Sequence, residues 1–261
     1  MSLIELNQVS KGFITDRKAG RALVALNGLN LSIEEGEFVS LLGPSGCGKT
    51  VSLSMMAGFV APTSGEVLFR GKPIEGPGPE RGVVFQEHSL FPWLTVSENV
   101  VFAIKESAKA RGVRFDAGKA REKALEMLAA VGLESFADAR PNTLSGGMKQ
   151  RVAIARLLAM DSEVLLMDEP FSALDEQTRG ALDESLNRLW RERRKTIVFV
   201  THNISEAVAI SSRIVLFSEA PGRVAHEWRL PDDFDREPSS PEVLSLTEEI
   251  RSLMPLSSAS F

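Results

Sequence analysis

Residues 43–50 read GPSGCGKT, which places Gly43, Gly48, Lys49 and Thr50 at the fixed positions of the pattern GxxxxGK[ST]. Glycines at this spacing let backbone N–H groups wrap phosphate oxygens, and the following helix N-terminus adds about half a positive charge. The lysine then reaches the β and γ oxygens and the threonine hydroxyl holds Mg²⁺. Pro44, Ser45, Gly46 and Cys47 complete the loop. The flanks supply the context this chemistry requires: EFVSLLG (37–43) reads as a buried strand and VSLSMMAGF (51–59) as a helix that Gly58 helps to end.

A second acidic centre lies downstream. VLLMDEP puts Asp168 at the carboxyl end of a buried strand, suited to Mg²⁺ through its water shell, with Glu169 beside it. Two such acids could be a solvated strand end. In a chain with a phosphate loop they read better as a metal-binding carboxylate and a general base. A second glycine pair follows a leucine and a serine in LSGGMKQR (144–151). Alone, it could be a helix start with Ser145 as N-cap and the glycines allowing close packing.

Taken together, these three motifs resemble those of the ATP-binding subunits of ABC transporters, whose Walker A, signature and Walker B sequences occur in this order and spacing. The resemblance covers about residues 3–230. It implies an α/β fold: a P-loop NTPase core of the ABC ATPase type, with an antiparallel β subdomain and an inserted α-helical subdomain at about 87–160. It also explains the second glycine pair. Two such subunits pack head to tail, so Ser145, Gly146 and Gly147 of one copy would complete the ATP site of the other.

The resemblance carries further roles residue by residue. Gln86 in VFQEHSLFP matches the glutamine that senses Mg²⁺ and the attacking water and links the core to the helical insertion. Asp175 in SALD matches the loop that crosses the dimer interface. His202 in VFVTH matches the switch histidine on the γ-phosphate. The position that stacks on adenine is usually tyrosine. This chain has no tyrosine, and Phe13 in VSKGF stands there, still able to stack. Catalysis is thus expected of Glu169, His202, Gln86 and Lys49, and Mg²⁺ binding of Thr50, Gln86 and Asp168. Cys47 reads as a small residue tolerated in the loop, with a thiol near a helix N-terminus open to alkylation. His88 and His226 match no motif.

The elements that must position these residues follow from hydrophobic period. Segments 3–13 and 22–33 read as antiparallel strands joined by a charged turn around Asp16 to Gly20. GEVLFRG (65–71) and RGVVFQ (81–86) add strands. From about 97 to 160 the pattern is mainly helical, including 116–132, where Leu125, Leu128 and Ala129 are expected to share a face and Gly132 to stop the helix. EVLLMDEP, KTIVFVTH and SRIVLFS are near-continuous apolar runs that suit a parallel sheet covered on both faces. RERRK (191–195) is read as a helix end. In the tail, 231–261, a docked helix is expected with Ser240 as N-cap, Pro241 as first residue, and Val243, Leu246, Ile250 and Leu253 along one side.

The 261 residues carry a net charge of -5, so no global basic field invites nucleic acid. The basic run at 191–195 is too local to supply one. One cysteine allows no internal disulfide. No apolar run approaches the ~20 residues of a membrane span, and the start lacks the pattern of a signal peptide. The expectation is a peripheral protein on the cytoplasmic face of the inner membrane, driving a separate integral membrane permease. Phe91, Pro92, Trp93 and Leu94, just after Gln86, suit a groove for that permease or packing beneath the helical insertion.

Separate ATP-binding and permease chains are commonest among bacterial importers, which also use an extracytoplasmic substrate-binding protein. LSGGMKQR, FPWLTVSENV and EAPGR (219–223) look most like the nitrate, sulfonate and taurine importer group. The alternative is a soluble ABC-type ATPase acting as a nucleotide-dependent switch on a cytosolic partner. A small-molecule kinase would lack the signature and switch elements, and a GTPase would be expected to carry NKxD, which is absent.

Overall fold

The structure is a computed structural model that describes residues 2–16, 21–87 and 89–254. Most of the charged turn expected after Asp16, and His88, lie outside the described residues. In chain order come β1 (Ser2–Asp16), β2 (Arg21–Glu34), β3 (Phe38–Leu42), α1 (Lys49–Met56), β4 (Ser64–Phe69), β5 (Lys72–Pro73) and β6 (Arg81–Val84). Then follow α2 (Val96–Ala110), α3 (Ala117–Ala130), α4 (Gly146–Ala159), β7 (Val164–Asp168) and α5 (Glu176–Arg193). The last elements are β8 (Thr196–Val200), α6 (Ile204–Ile210), β9 (Arg213–Phe217), β10 (Val224–Arg229) and α7 (Pro241–Leu253).

These elements form two compact units, one built from the chain up to Pro77 and from Arg194 onward, the other from Gly78–Arg193. In the first unit β1 pairs antiparallel with both β2 and β4, and β4 with β5. β3 lies between β8 and β9, parallel to both, and β10 closes against β9 antiparallel. Every residue of β3, β8 and β9 is buried. This accounts for their near-continuous apolar composition, interrupted only by Ser40, Thr196 and Arg213, since strands covered on both faces have no polar side. Each fully buried aliphatic or aromatic side chain there contributes about 1.5–3 kcal/mol.

α7 is packed as well as capped. Ser240 Oγ accepts from Val243 N at 3.3 Å, and Val243 and Ile250 join a buried cluster with Leu42, Val208, Ile214 and Leu216. Leu246 lies partly buried against this cluster. Leu253, expected on the same side, is 38% exposed; Met254 makes the contact instead. Arg236 reinforces the docking by donating to Val208 O, Ala209 O and Ser211 O at 3.0, 3.2 and 2.8 Å, which satisfies the carbonyl end of α6.

In the second unit β6 and β7 pair in parallel. α2 starts on a capping box: Thr95 Oγ1 accepts from Glu98 N, and Glu98 Oε2 from Thr95 N. α3 differs from its expected orientation. Its buried residues are Ala120, Ala124, Met127 and Leu128, whereas Ala129 is exposed and Leu125 half-buried. The i, i+4, i+7, i+8 stripe that includes two alanines faces the neighbouring helices, because small side chains permit closer approach. Among the described residues, no helix is long and apolar enough to cross a membrane.

Candidate functional site

The loop at 43–50 connects β3 directly to α1. Gly48 is the N-cap of that helix, in the left-handed conformation with φ 96° and ψ 6°. A β-carbon there would lie 2.5 Å from Leu26 Cδ2 and 2.9 Å from Ala25 O, so backbone conformation and the wall made by β2 both demand glycine. Gly222 closes on the loop from another direction: a β-carbon at 222 would collide with Cys47 O. Its own N–H donates to Ala25 O at 2.9 Å. The phosphate loop is thereby held between β2 and the segment 219–223, a support that the sequence motifs do not reveal.

Lys49 is 6% exposed. Its ammonium donates to Gly43 O at 2.7 Å, to Pro44 O at 2.9 Å and to Cys47 Sγ at 3.6 Å. Sulfur is the weakest of these acceptors, so that donor is the one most readily transferred to a phosphate oxygen. Cys47 is only 1% exposed. Burial shields the thiol from the alkylation expected of it. Thr50 lies exposed on the first turn of α1.

In the same unit, His202 follows the end of β8 and is exposed, while Thr201 before it is buried. Thr201 Oγ1 donates to Glu206 Oε2 at 2.6 Å and accepts from Asn203 N at 3.0 Å. Asn203 Oδ1 caps α6 by accepting from Ser205 N at 2.9 Å. The strand-to-helix turn that presents His202 is thus fixed on both sides of it. Phe13 pairs across the hairpin with Leu23 and is 38% exposed, with Lys11 Nζ 5.2 Å from its ring centroid. A ring open to solvent and bordered by a cation is suited to stacking on a base. His226 lies in β10 and stacks on Trp228.

The second unit carries the other candidates. Gln86 lies just beyond β6 and lines a hollow of about 560 Å³ together with Ser89, Leu90, Pro92, Asn142 and Lys149. Trp93, next in sequence to Pro92, is 68% exposed. Phe91 instead packs edge-on against Phe102, with ring centroids 4.7 Å apart. The buried Asn99 side chain gathers this loop, accepting from Phe91 N and donating to the carbonyls of Phe91, Leu94 and Thr95. Arg140 also donates to Trp93 O.

Asp168 ends β7, 5% exposed. Glu169, next to it, is half-buried and has φ 46°. For a residue with a β-carbon this conformation costs about 1–3 kcal/mol, the kind of strain kept where it aims a functional group. At the signature, Ser145 Oγ accepts from Met148 N at 3.3 Å, capping α4. A β-carbon on Gly147 would press on Ala173 O and Leu174 Cδ2 at 3.1 and 3.2 Å. Capping and close packing therefore both apply. Neither precludes ligand binding, since Ser145 and Gly146 remain exposed at the positive end of the helix.

Asp175 caps α5 with both oxygens, accepting from Thr178 N at 2.9 Å and Thr178 Oγ1 at 2.8 Å. The backbone bond from Thr178 is the foremost cause holding its carboxyl below the usual range, followed by the hydroxyl bond. Thr50, Gln86 and Asp168 each offer an oxygen donor, the ligand type taken by Mg²⁺, a hard cation that keeps waters and phosphate oxygens alongside one or two protein ligands.

The family described as ABC transporter matches residues 26–172. The chain belongs to that family. As an ABC ATPase it has relatives in transport systems. A taurine import ATP-binding protein of Pelagibacter ubique is 40% identical over 242 residues, 90% of this chain and 89% of the relative. A bicarbonate transport ATP-binding protein of Synechocystis is 48% identical over 226 residues, 85% of this chain but 32% of that longer protein. Among solved structures, a dimeric ATP-binding cassette in a post-hydrolysis state with ADP and Pi has TM-score 0.79 and 37% identity, covering 87% of this chain and 99% of the other.

Motif reading gave no role to Gly222, Thr201 and Ser172, although they lie within EAPGR, VFVTH and SALD, nor to Glu206. The Pro-Gly pair at 221–222 reads as a turn.

Proposed function

We propose that this ABC ATPase is the engine of an importer, coupling closure of a head-to-tail dimer to a separate integral membrane permease, with hydrolysis reopening the dimer. The carrying observation is the hollow of about 560 Å³ at Gln86, with Trp93, the residue after its lining residue Pro92, exposed. An exposed indole beside a concave surface suits a docked partner segment. The names of the taurine and bicarbonate relatives support a small anion as cargo, with nitrate or a sulfonate in the same class. An extracytoplasmic binding protein would deliver the cargo, and this chain would sit peripherally on the cytoplasmic face of the membrane.

Phe13 stacks on adenine. Backbone N–H groups of 43–50 and the Lys49 ammonium hold the phosphates. Thr50, Gln86 and Asp168 would hold Mg²⁺, which would supply positive charge to the phosphate oxygens. Glu169 accepts a proton from the attacking water, and His202 steadies the γ-phosphate as ADP leaves. Ser145, Gly146 and Gly147 donate to the nucleotide of the other copy, and Asp175 lies in the loop that crosses between the copies.

Affinity purification of the chain from mildly solubilised native membranes, with mass spectrometry of what stays bound, tests the proposal. Recovery of a multispan permease is expected. Recovery of soluble partners alone, with the chain absent from membranes, would replace it with a cytosolic ATP-dependent switch. Glu169→Gln should lower turnover about 10²- to 10⁴-fold; wild-type hydrolysis would remove Glu169 as base. Lys49→Ala should abolish productive ATP binding, and unchanged affinity would remove the phosphate assignment.

A further inference from the structure

Among the described non-glycine residues with positive φ, Glu169 alone precedes a proline, Pro170. A residue before proline is pushed toward extended backbone by the proline ring. A β-carbon independently disfavours the left-handed region. Two local preferences therefore oppose the conformation at 169, and something outside the residue must hold it.

Two hydrogen bonds that favour it meet at one atom. Glu169 O accepts from Ser172 N at 3.2 Å and from Ser172 Oγ at 3.0 Å. The two residues between are anchored, since Pro170 is buried and Phe171 is 1% exposed. Leu174 N donates to Phe171 O at 3.1 Å, continuing the turn. Ser172 itself is exposed, so packing is not its contribution; its hydroxyl bond is.

We propose that Ser172 is a positioning residue for hydrolysis, its hydroxyl holding the Glu169 backbone in the left-handed conformation and thereby setting the direction of the carboxylate. The inference rests on Glu169 being the general base. The direction of a side chain follows from φ through the Cα–Cβ bond, so relaxation of residue 169 toward extended backbone would swing the carboxylate off the attacking water. Nucleotide affinity would be little changed, because the Ser172 hydroxyl bonds to the Glu169 backbone and not to the residues proposed to hold the phosphates.

The test uses the full chain, with ATP hydrolysis read as kcat and KM and with ATP affinity measured separately. Ser172→Ala is expected to lower kcat about five- to tenfold, the effect of one hydrogen bond, with KM and affinity within twofold of wild type. Ser172→Thr, which keeps the hydroxyl, should restore kcat. Ser172→Cys, close in size but a weak donor, should behave like the alanine variant and guards against a loss caused by misfolding. In a Glu169→Gln background, adding Ser172→Ala should cost nothing more. Equal kcat for the threonine and cysteine variants would overturn the proposal, as would a full further loss in the Glu169→Gln background. Wild-type hydrolysis by Glu169→Gln would instead remove the base assignment on which the proposal rests.

Discussion

Arg156 Nη1 donates to the backbone oxygen of Ser89 at 2.9 Å, so the last turn of α4 holds the loop that carries Gln86. Burial lowers the pKa of this guanidinium. Arginine nevertheless stays protonated, and the bond is charge-assisted in a partly dry setting. One helix thus joins the signature at its N-terminus to the rim of the proposed permease groove near its C-terminus. Arg156→Met keeps the apolar stem but removes the donor. It should leave ATP affinity within twofold and weaken permease stimulation of ATPase activity about fivefold, roughly 1 kcal/mol of coupling. Unchanged stimulation in the reconstituted complex would show that α4 does not transmit through this bond.

The contact of Gly222 with Cys47 O makes a second expectation. The 222 peptide cannot retreat easily, because its N–H is bonded to Ala25 O. Gly222→Ala must therefore push the phosphate loop, at the roughly 1–3 kcal/mol typical of overpacking. ATP affinity should fall about tenfold or more. Gly180→Ala, where a β-carbon meets nothing within 4 Å, should leave affinity unchanged. Calorimetric titration of both variants checks the pair, and equal affinities would contradict the supporting role of Gly222.

What the sequence discloses and what it conceals divide along physical lines. The strands leading to Leu42, Asp168 and Val200 are legible because full burial leaves them near-continuous apolar runs, broken by few polar residues such as Ser40 and Thr196, and the phosphate loop because its glycines sit at fixed spacing. The caps at Ser145 and Ser240 are likewise local. The face of α3 is not local: alanine is apolar on any side of a helix, and only packing against other helices selects Ala120 and Ala124 over Ala129. Gly222 and Ser172 are harder still. One matters through a residue far away in sequence, the other through a backbone angle that no residue type announces.

Asn99 holds the loop at Phe91–Thr95 by four hydrogen bonds while fully buried. Asn99→Ala leaves the Phe91 N–H and several carbonyls without this partner, costing roughly 2–3 kcal/mol. Asn99→Asp should be worse at neutral pH, because a carboxylate would then face three carbonyl oxygens where an amide donated. The expected order of thermal midpoints is wild type, then alanine, then aspartate. An aspartate variant as stable as wild type would show that the amide donors do not organise the loop.

Asp175 sets a pH dependence whose sign can be worked out. The bonds from Thr178 N and Oγ1 favour the ionised carboxylate, so its folded pKa lies below the unfolded value. Stability from this cap is therefore fully present above the ordinary carboxylate range, near 3.9, and is lost as pH falls through the lower folded value. Asp175→Ala should destabilise the chain at pH 7, and the gap between variant and wild type should close progressively below pH ~4. Thr178→Val, which removes the hydroxyl bond but keeps the backbone one, should shift the carboxyl part of the way back and give a smaller gap at pH 7. Denaturant unfolding of the three proteins from pH 7 down to the acid limit measures this. A gap that widened toward acid would mean the carboxylate is strained rather than satisfied at the start of α5, and its place in the loop proposed to cross between two copies would then have to account for it.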